Sequence, residues 1–239
     1  MSAPVGSPKG SDPKDLDLDR VALAALSRVA DGMVLGLGTG RAAEAFIVRL
    51  GERVRGGLRV RGVPTSNRSE VLARKVNIEV VTLAEVDHLD IAFDGADEVT
   101  PSLELTKGLG GALLRERVVA YEAERFIVLV TPEKLVDRLG SRTPIPIEVV
   151  PFAAITAGRH LRKLGKVTIR TKPDGFQYFT DNQNLILDTD FGPIDEPARL
   201  DAAIRKIPGV VDTGIFLAMA DAVLVGEAGA VRVLTPPAG

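Results

Sequence analysis

Met33-Val34-Leu35-Gly36-Leu37-Gly38-Thr39-Gly40-Arg41, continuing as Ala42-Ala43-Glu44-Ala45-Phe46-Ile47-Val48-Arg49-Leu50, reads as strand, tight glycine turn and helix. Met33 to Leu35 is a short buried-strand pattern, and Ala42 to Leu50 carries the helical one. Glycines 36, 38 and 40 let the backbone bend sharply and bring N–H groups toward a ligand. The helix N-terminus behind them favours an anion, and Thr39 adds a hydroxyl donor. A turn made for packing alone, without a ligand, would show the same glycines.

The alternation continues on both sides of this segment. Upstream, Leu16 to Ala30 has a mostly apolar helical pattern that stops at Gly32. Downstream, Leu58–Val63, Val80–Thr82, Ile91–Phe93 and Phe126–Val130 read as strands, with helices over Ser69–Lys75 and Ala112–Ala123. Strands that are apolar throughout, alternating with helices, predict an α/β fold: a mostly parallel sheet with helices on both faces. The texture changes at Arg142. A proline-bearing stretch to Val150 precedes a helix signal over Ala153–Leu164, β-rich runs at 166–170, 175–179 and 184–188, and a helix over Pro197–Lys206. This predicts a small α+β unit over 142–212. Ala222–Val225 and Val231–Val233 return to sheet, so residues 16–141 and 213–239 form the main domain, preceded by a polar, disordered leader over 1–15.

Composition narrows the function. The 239 residues carry 30 basic and 32 acidic side chains, net −2, which argues against a dedicated nucleic-acid binder. With no cysteine, thiol nucleophiles, Cys-type zinc sites and Fe–S clusters are excluded. His88 and His160, in separate segments, are the only imidazoles. No run approaches the ~20 apolar residues of a membrane span, and the leader has no apolar signal-peptide centre. A cytoplasmic protein is the expectation.

Spacing tests which phosphate the glycine turn suits. A dinucleotide fingerprint needs G-x-G-x-x-G and an acid near the end of the next strand; here the pattern is G-x-G-x-G, and the second strand leads into Val63-Pro64-Thr65-Ser66. A Walker loop needs a glycine five residues before Gly-Lys, and His160 occupies that place before Gly165-Lys166. A small phosphorylated metabolite fits better than a nucleotide.

Two further segments carry chemistry. In Leu89-Asp90-Ile91-Ala92-Phe93-Asp94-Gly95-Ala96-Asp97-Glu98 a strand ends in three acids within five residues, where an open α/β sheet binds ligands. These acids suit proton transfer, sugar hydroxyls or Mg²⁺, or an Asx-type turn and nothing more. In Lys107-Gly108-Leu109-Gly110-Gly111-Ala112, a lysine precedes a glycine nest and a helix. On that helix Glu116 shares a face with Ala112, Val119, Ala120 and Ala123, whereas Arg115, Glu122 and Arg125 mark the exposed side. An inward carboxylate is costly unless paired or used, and burial raises its pKa toward that of a general base; the bland alternative is an ion pair with Arg115 or Arg117. A carboxylate base, a cation and N–H donors are the parts that proton abstraction beside a carbonyl requires. The chemistry expected is aldose–ketose isomerisation of a sugar phosphate.

In GLGTG (36–40), AFDGADEV (92–99), KGLGGALLRER (107–117), TPEKLVDRLG around Lys134, the proline run at 144–151 and IPGVVDTGIF (207–216), the chain resembles the type A ribose-5-phosphate isomerases, along nearly its whole length after the leader. That resemblance implies a Rossmann-like domain with a small ferredoxin-like α+β module. It also implies interconversion of ribose 5-phosphate and ribulose 5-phosphate in the pentose phosphate pathway, no required metal or cofactor, and a homodimer or homotetramer. By motif position Glu116 is the proton-transferring base, Asp94 the acid assisting ring opening, Asp97 a sugar-hydroxyl ligand and Lys107 the oxyanion stabiliser. Thr39, Gly40, Arg41, Ala42, Asp94, Gly95, Ala96, Asp97, Lys107, Gly108, Leu109, Gly110 and Lys134 line the substrate site.

The sequence departs from the family at two places. Arg41-Ala42 stands where Ser-Thr is common, so Arg41 either supplies a charged phosphate donor or faces solvent at a helix start. Leu109 replaces a frequent glycine and is expected to alter loop packing while leaving the backbone donors in place. Two other readings compete. A sugar-phosphate-sensing domain lacks a DNA-binding partner segment here and gives Glu116 no purpose. A metal-dependent enzyme would use Asp94, Asp97 and Glu98.

Overall fold

A computed structural model of the protein describes residues 13–227 and 229–236. The chain opens with α1 (Pro13–Leu26), β1 (Val34–Leu37), α2 (Arg41–Arg55), β2 (Arg61–Pro64), α3 (Asn67–Lys75), β3 (Glu79–Val80) and β4 (Leu89–Gly95). After two short strands, β5 (Glu98–Val99) and β6 (Leu105–Thr106), come α4 (Leu113–Glu122) and β7 (Ala123–Val130). Next are β8 (Ile145–Val149), α5 (Ala154–Leu161), β9 (Lys166–Ile169), β10 (Leu185–Asp190), α6 (Pro197–Arg205) and β11 (Val210–Thr213). The chain closes with β12 (Ile215–Phe216), β13 (Ala222–Glu227) and β14 (Ala230–Leu234).

The main sheet has seven strands in the order β14-β13-β7-β4-β1-β2-β3, parallel except for the antiparallel edge strand β14. Alternation along each strand feeds two cores. Leu35, Leu37, Ile91, Phe93, Ile127 and Leu129 meet α1 and α2 through Ala22, Phe46, Ile47 and Leu50. Val34, Ala92, Phe126, Val128 and Val223 point the other way, toward Val119 of α4 and Phe216 of β12. Both faces of the sheet are therefore covered, as the apolar strands predict. No helix of the described residues is long and apolar enough to cross a membrane.

Strands β8 to β11 build a separate antiparallel sheet in the order β11-β8-β10-β9, with α5 and α6 as the two crossovers, the split βαβ arrangement. Its last strand runs to Thr213, one residue past the boundary expected from sequence.

Several expectations are corrected. The leader over 1–15 is too long: residues 1–12 lie outside the described residues, but α1 begins at Pro13. Proline is well suited to a first helical turn, Asp15 there favours the helix dipole, and Asp15 is bonded to Arg41 at 2.7 Å. The same helix stops at Leu26 rather than Ala30, its end tightened by Arg28 N–H to Ala25 O and Val29 N–H to Leu26 O. Residues 175–179 form no strand, only single bridges Thr171–Gln177 and Phe179–Leu185. The Lys172–Gly175 turn, with φ +85° at Gly175, takes the chain out of register. A small sheet in the order β12-β6-β5 went unread because each strand is only two residues long, too short for any periodicity.

Candidate active site

The glycine turn and the acidic turn meet because β1 and β4 are sheet neighbours, with Leu37 paired to Phe93. From β1 the chain crosses by α2 to β2 on one side, and from β4 by α4 to β7 on the other. Strand order therefore reverses between β1 and β4, and the crevice outside their carboxyl ends is where such sheets bind ligands. Gly38 N–H donates to Phe93 O at 2.9 Å, and a Cβ on Gly38 would lie 2.3 Å from the Asp94 carboxyl. Only glycine lets the two turns touch. Gly40, at φ +104°, then turns the chain into α2.

Asp94, Lys107 and Glu116 form one sealed cluster. Lys107 Nζ lies 3.1 Å from Asp94 Oδ2 and 3.4 Å from Glu116 Oε2, and it donates to Gly95 O at 2.5 Å. The side chains are 2%, 3% and 4% exposed respectively, so the charges interact with little water between them. The Phe216 ring, 5.7 Å from Nζ, backs the ammonium. Asp94 Oδ1 accepts from the N–H groups of Thr39 and Gly95. Neither Asp94 Oδ2 nor Glu116 Oε2 has a directional hydrogen bond; each faces Lys107 as a charge.

Burial dominates the titration of the cluster. It pushes the Glu116 carboxyl up to about 8; Lys107 opposes the rise, while Asp94 and Asp97 add to it. Asp94 is raised by burial, against the pull of Lys107 and the two N–H groups. Asp97 is raised by burial, partly offset by the Leu109 N–H. Burial would lower Lys107, but the charges of Asp94 and Glu116 outweigh it and hold the ammonium above its ordinary value.

A cavity of about 280 Å³ opens onto the cluster. Of the residues expected there, Thr39, Gly40, Arg41, Ala42, Gly95, Ala96 and Asp97 line it from the two turns, and Lys107, Gly108, Gly110, Glu116 and Lys134 from later segments. Two expected residues do not. Asp94 sits one layer behind the wall, its carboxyl shared between the glycine turn and Lys107. The Leu109 side chain points outward at 40% exposure, but its N–H donates to Asp97 Oδ2 at 2.9 Å, so the loop retains that backbone donor. The Thr39 hydroxyl is bonded to the hydroxyls of Thr65 and Ser66, both at 2.8 Å, and so is not aimed into the cavity. Arg41 is at the wall, tied to Asp15.

The alternatives weighed from sequence separate here. Glu116 pairs with neither neighbouring arginine. Arg117 turns to Asp212 at 2.7 Å and stacks 3.9 Å from the Phe216 ring, while Arg115 is not simply exposed but bonds Asn182, Asn67 and Asp181 O. The trio Asp94, Asp97 and Glu98 does not converge. The carboxyl of Glu98 accepts from the N–H groups of Gly140, Arg142 and Thr143 and holds that loop. Among the described residues no three His, Cys, Asp or Glu side chains are grouped to hold a metal ion.

Sequence reasoning missed part of the wall. Lys14 and Leu18 reach it from the first turns of α1, and Lys14 lies 3.5 Å from Glu133. Reading residues 1–15 as leader hid Lys14, and Leu18, inside the helix expected from Leu16, was not assigned to the site. Leu129, Val130, Thr131 and Glu133 follow the carboxyl end of β7, and the rule that singled out the end of β4 applies equally there.

Comparison with known proteins agrees with this architecture. The family described as Ribose 5-phosphate isomerase A (phosphoriboisomerase A) matches residues 61–229. The Ribose-5-phosphate isomerase A of Thermomicrobium roseum is 50% identical over 218 residues, covering 90% of this chain and 92% of that protein. The Gloeobacter violaceus protein of the same name is 50% identical over 228 residues, covering 94% and 99%. The solved ribose 5-phosphate isomerase A from Methanocaldococcus jannaschii superposes with a TM-score of 0.88 at 45% identity, covering 94% of this chain and 100% of that one. A D-ribose-5-phosphate isomerase solved in complex with phospho-erythronic acid superposes at 0.90 with 40% identity and the same coverages. Identity of this order over nearly the full length of each relative, on a matching fold, places the chain in the ribose 5-phosphate isomerase A family.

Proposed function

We propose that this chain interconverts D-ribose 5-phosphate and D-ribulose 5-phosphate, the aldose–ketose isomerisation of the non-oxidative pentose phosphate pathway. One observation carries the reading: Glu116 Oε2 stands on the cavity wall, buried, without a hydrogen-bond partner, and 3.4 Å from the ammonium of Lys107.

In the open-chain aldose the Glu116 carboxylate removes the proton from C2, and the C–H electron pair moves through C1 onto the carbonyl oxygen. Lys107, held charged by Asp94, stabilises the enediolate oxygen as its charge develops. Glu116 returns its proton to C1, the hydroxyl proton leaves O2 for O1, and the ketose results with no net change in oxidation state. Three carboxyls stand on the wall, Asp97, Glu116 and Glu133; Glu133 is paired with Lys14, and Asp97 meets the sugar hydroxyls. Asp94 contributes by fixing Lys107 and the glycine turn. The α2 N-terminus at Gly40–Ala42 receives the phosphate, with Arg41 and Lys134 as the cations at that end. The relative solved with phospho-erythronic acid supports a phosphorylated sugar-like ligand.

A sugar-phosphate sensor remains the second reading, and it leaves a sealed carboxylate beside an ammonium without purpose. From the family alone we also infer a homodimer or homotetramer acting in the cytoplasm, which sedimentation and fractionation test. A coupled assay for ribulose 5-phosphate, with and without a chelator, tests the activity. Formation at equal rate in both arms supports the reading, no formation refutes it, and loss with the chelator alone points back to a metal-dependent enzyme.

A further inference from the structure

The small α+β unit contributes no residue to the wall of the cavity, since every lining residue lies between 14 and 134. Two of its side chains nevertheless hold the loop that forms one side of it. Arg170, just after β9, is clamped by Asp188 of β10, Nε to Oδ2 at 2.8 Å and Nη2 to Oδ1 at 2.5 Å. Its remaining arm, Nη1, donates to the carbonyl oxygens of Gly108 and Leu109, both at 3.0 Å. Tyr178, whose N–H donates to Arg170 O, lays its phenol against Gly111, where a Cβ would lie 2.1 Å from Oη.

The consequence follows from peptide geometry. In a planar trans peptide the C=O and the next N–H point in opposite directions. With the Gly108 carbonyl held on the Arg170 side, the Leu109 N–H must point away, and it does: it meets Asp97 Oδ2 at 2.9 Å. With the Leu109 carbonyl held on the same side, the Gly110 N–H also points away from Arg170, from a residue that lines the cavity. The Gly108 carbonyl accepts the Gly111 N–H as well, closing the turn at 2.9 Å. A guanidinium on two successive carbonyls polarises both peptides and makes their N–H groups stronger donors. Arg170 is 13% exposed and its charge is balanced by Asp188, so this arrangement is shielded from salt.

The geometry points to Arg170 as a positioning residue: from outside the cavity it keeps the amides of the Lys107–Gly111 turn aimed at Asp97 and at the substrate. The small unit thereby serves catalysis without touching the sugar. This inference rests on the isomerase reading above.

The test compares the unmodified protein with Arg170→Ala and Arg170→Lys. For Arg170→Ala, kcat falls by about 10²-fold, the usual cost of a misplaced catalytic group, while KM changes far less. Millimolar guanidinium, with urea as the neutral control of the same shape, restores kcat in a saturable way, and Arg170→Lys recovers part of it. Amide hydrogen exchange at Leu109 and Gly110 quickens in Arg170→Ala while the β1 and β4 amides stay protected, a readout that does not depend on turnover. Full activity in Arg170→Ala overturns the inference. So does activity lost in step with melting temperature and recovered by neither guanidinium nor lysine, or unchanged exchange in the turn. An unmodified protein that makes no ribulose 5-phosphate fails the isomerase reading instead.

Discussion

Lys107 Nζ and Glu116 Oε2 stand 3.4 Å apart on the wall of the cavity, each side chain at most 4% exposed. Two turns of chain bring them together: the lysine is fixed by Gly95 O and Asp94 at the end of β4, and the glutamate by the inward face of α4. A buried base beside a cation is the arrangement that proton transfer next to a carbonyl calls for.

The pH dependence of kcat/KM follows from this burial. Only ionised Glu116 removes a proton, and its carboxyl titrates at about 8 in the free protein. Activity therefore falls as pH drops through the region near 8, well above the range of an ordinary carboxylate, and a rate profile from pH 5 to 10 reads the limb directly. A limb near 4.5 contradicts this account.

Stability follows the same group with the opposite sense. The native state binds the Glu116 proton more tightly than the unfolded chain, where Glu titrates near 4.5. The resulting stabilisation is fully present below pH 4.5 and is lost as pH rises through about 8. Glu116→Gln cannot ionise, so melting curves should match the parent near pH 5 and lie higher than the parent at pH 9.

Lys107→Met removes the only cation within ion-pair distance of both Asp94 and Glu116 among the described residues. With Glu116 largely protonated near neutral pH, leaving the buried Asp94 carboxylate unpaired costs about 3–5 kcal/mol. Thermal unfolding near neutral pH should show that loss, partly relieved as pH falls and the Asp94 carboxyl, raised by burial, takes up its proton. Turnover should fall far more than substrate affinity, because the oxygen charge it stabilises exists only along the reaction.

Arg41 lines the cavity at the N-terminus of α2, with Asp15 as its present partner at 2.7 Å. If the phosphate takes the place of Asp15, Arg41→Ala raises KM for ribose 5-phosphate by about tenfold, in line with a charge-assisted hydrogen bond, and Asp15→Asn lowers it. An unchanged KM in Arg41→Ala makes this arginine a solvent-facing residue.

What the sequence revealed and what it hid have physical causes. Glycines at 36, 38 and 40, the Asp94–Asp97 turn and the inward face of Glu116 are local signals, each complete within a few residues. The wall supplied by Lys14 and Leu18 was hidden because a first helical turn of Pro, Lys and Asp has no apolar period and owes its place to contacts with Arg41 and Glu133, far along the chain. The position of Asp94 behind the wall was equally illegible, since the order of side-chain layers depends on Lys107 arriving from another segment. The partners of the Thr39 hydroxyl were illegible for the same reason: Thr65 and Ser66 belong to the next strand end.

The most direct measurement is exchange of the C2 hydrogen of ribose 5-phosphate in D₂O, catalysed by Glu116→Gln and by the parent protein at matched substrate occupancy. Exchange in the variant is expected to be slower by about 10²–10⁴-fold, the usual worth of a positioned base, with substrate still bound. Exchange at the parental rate would show that some other group moves the proton.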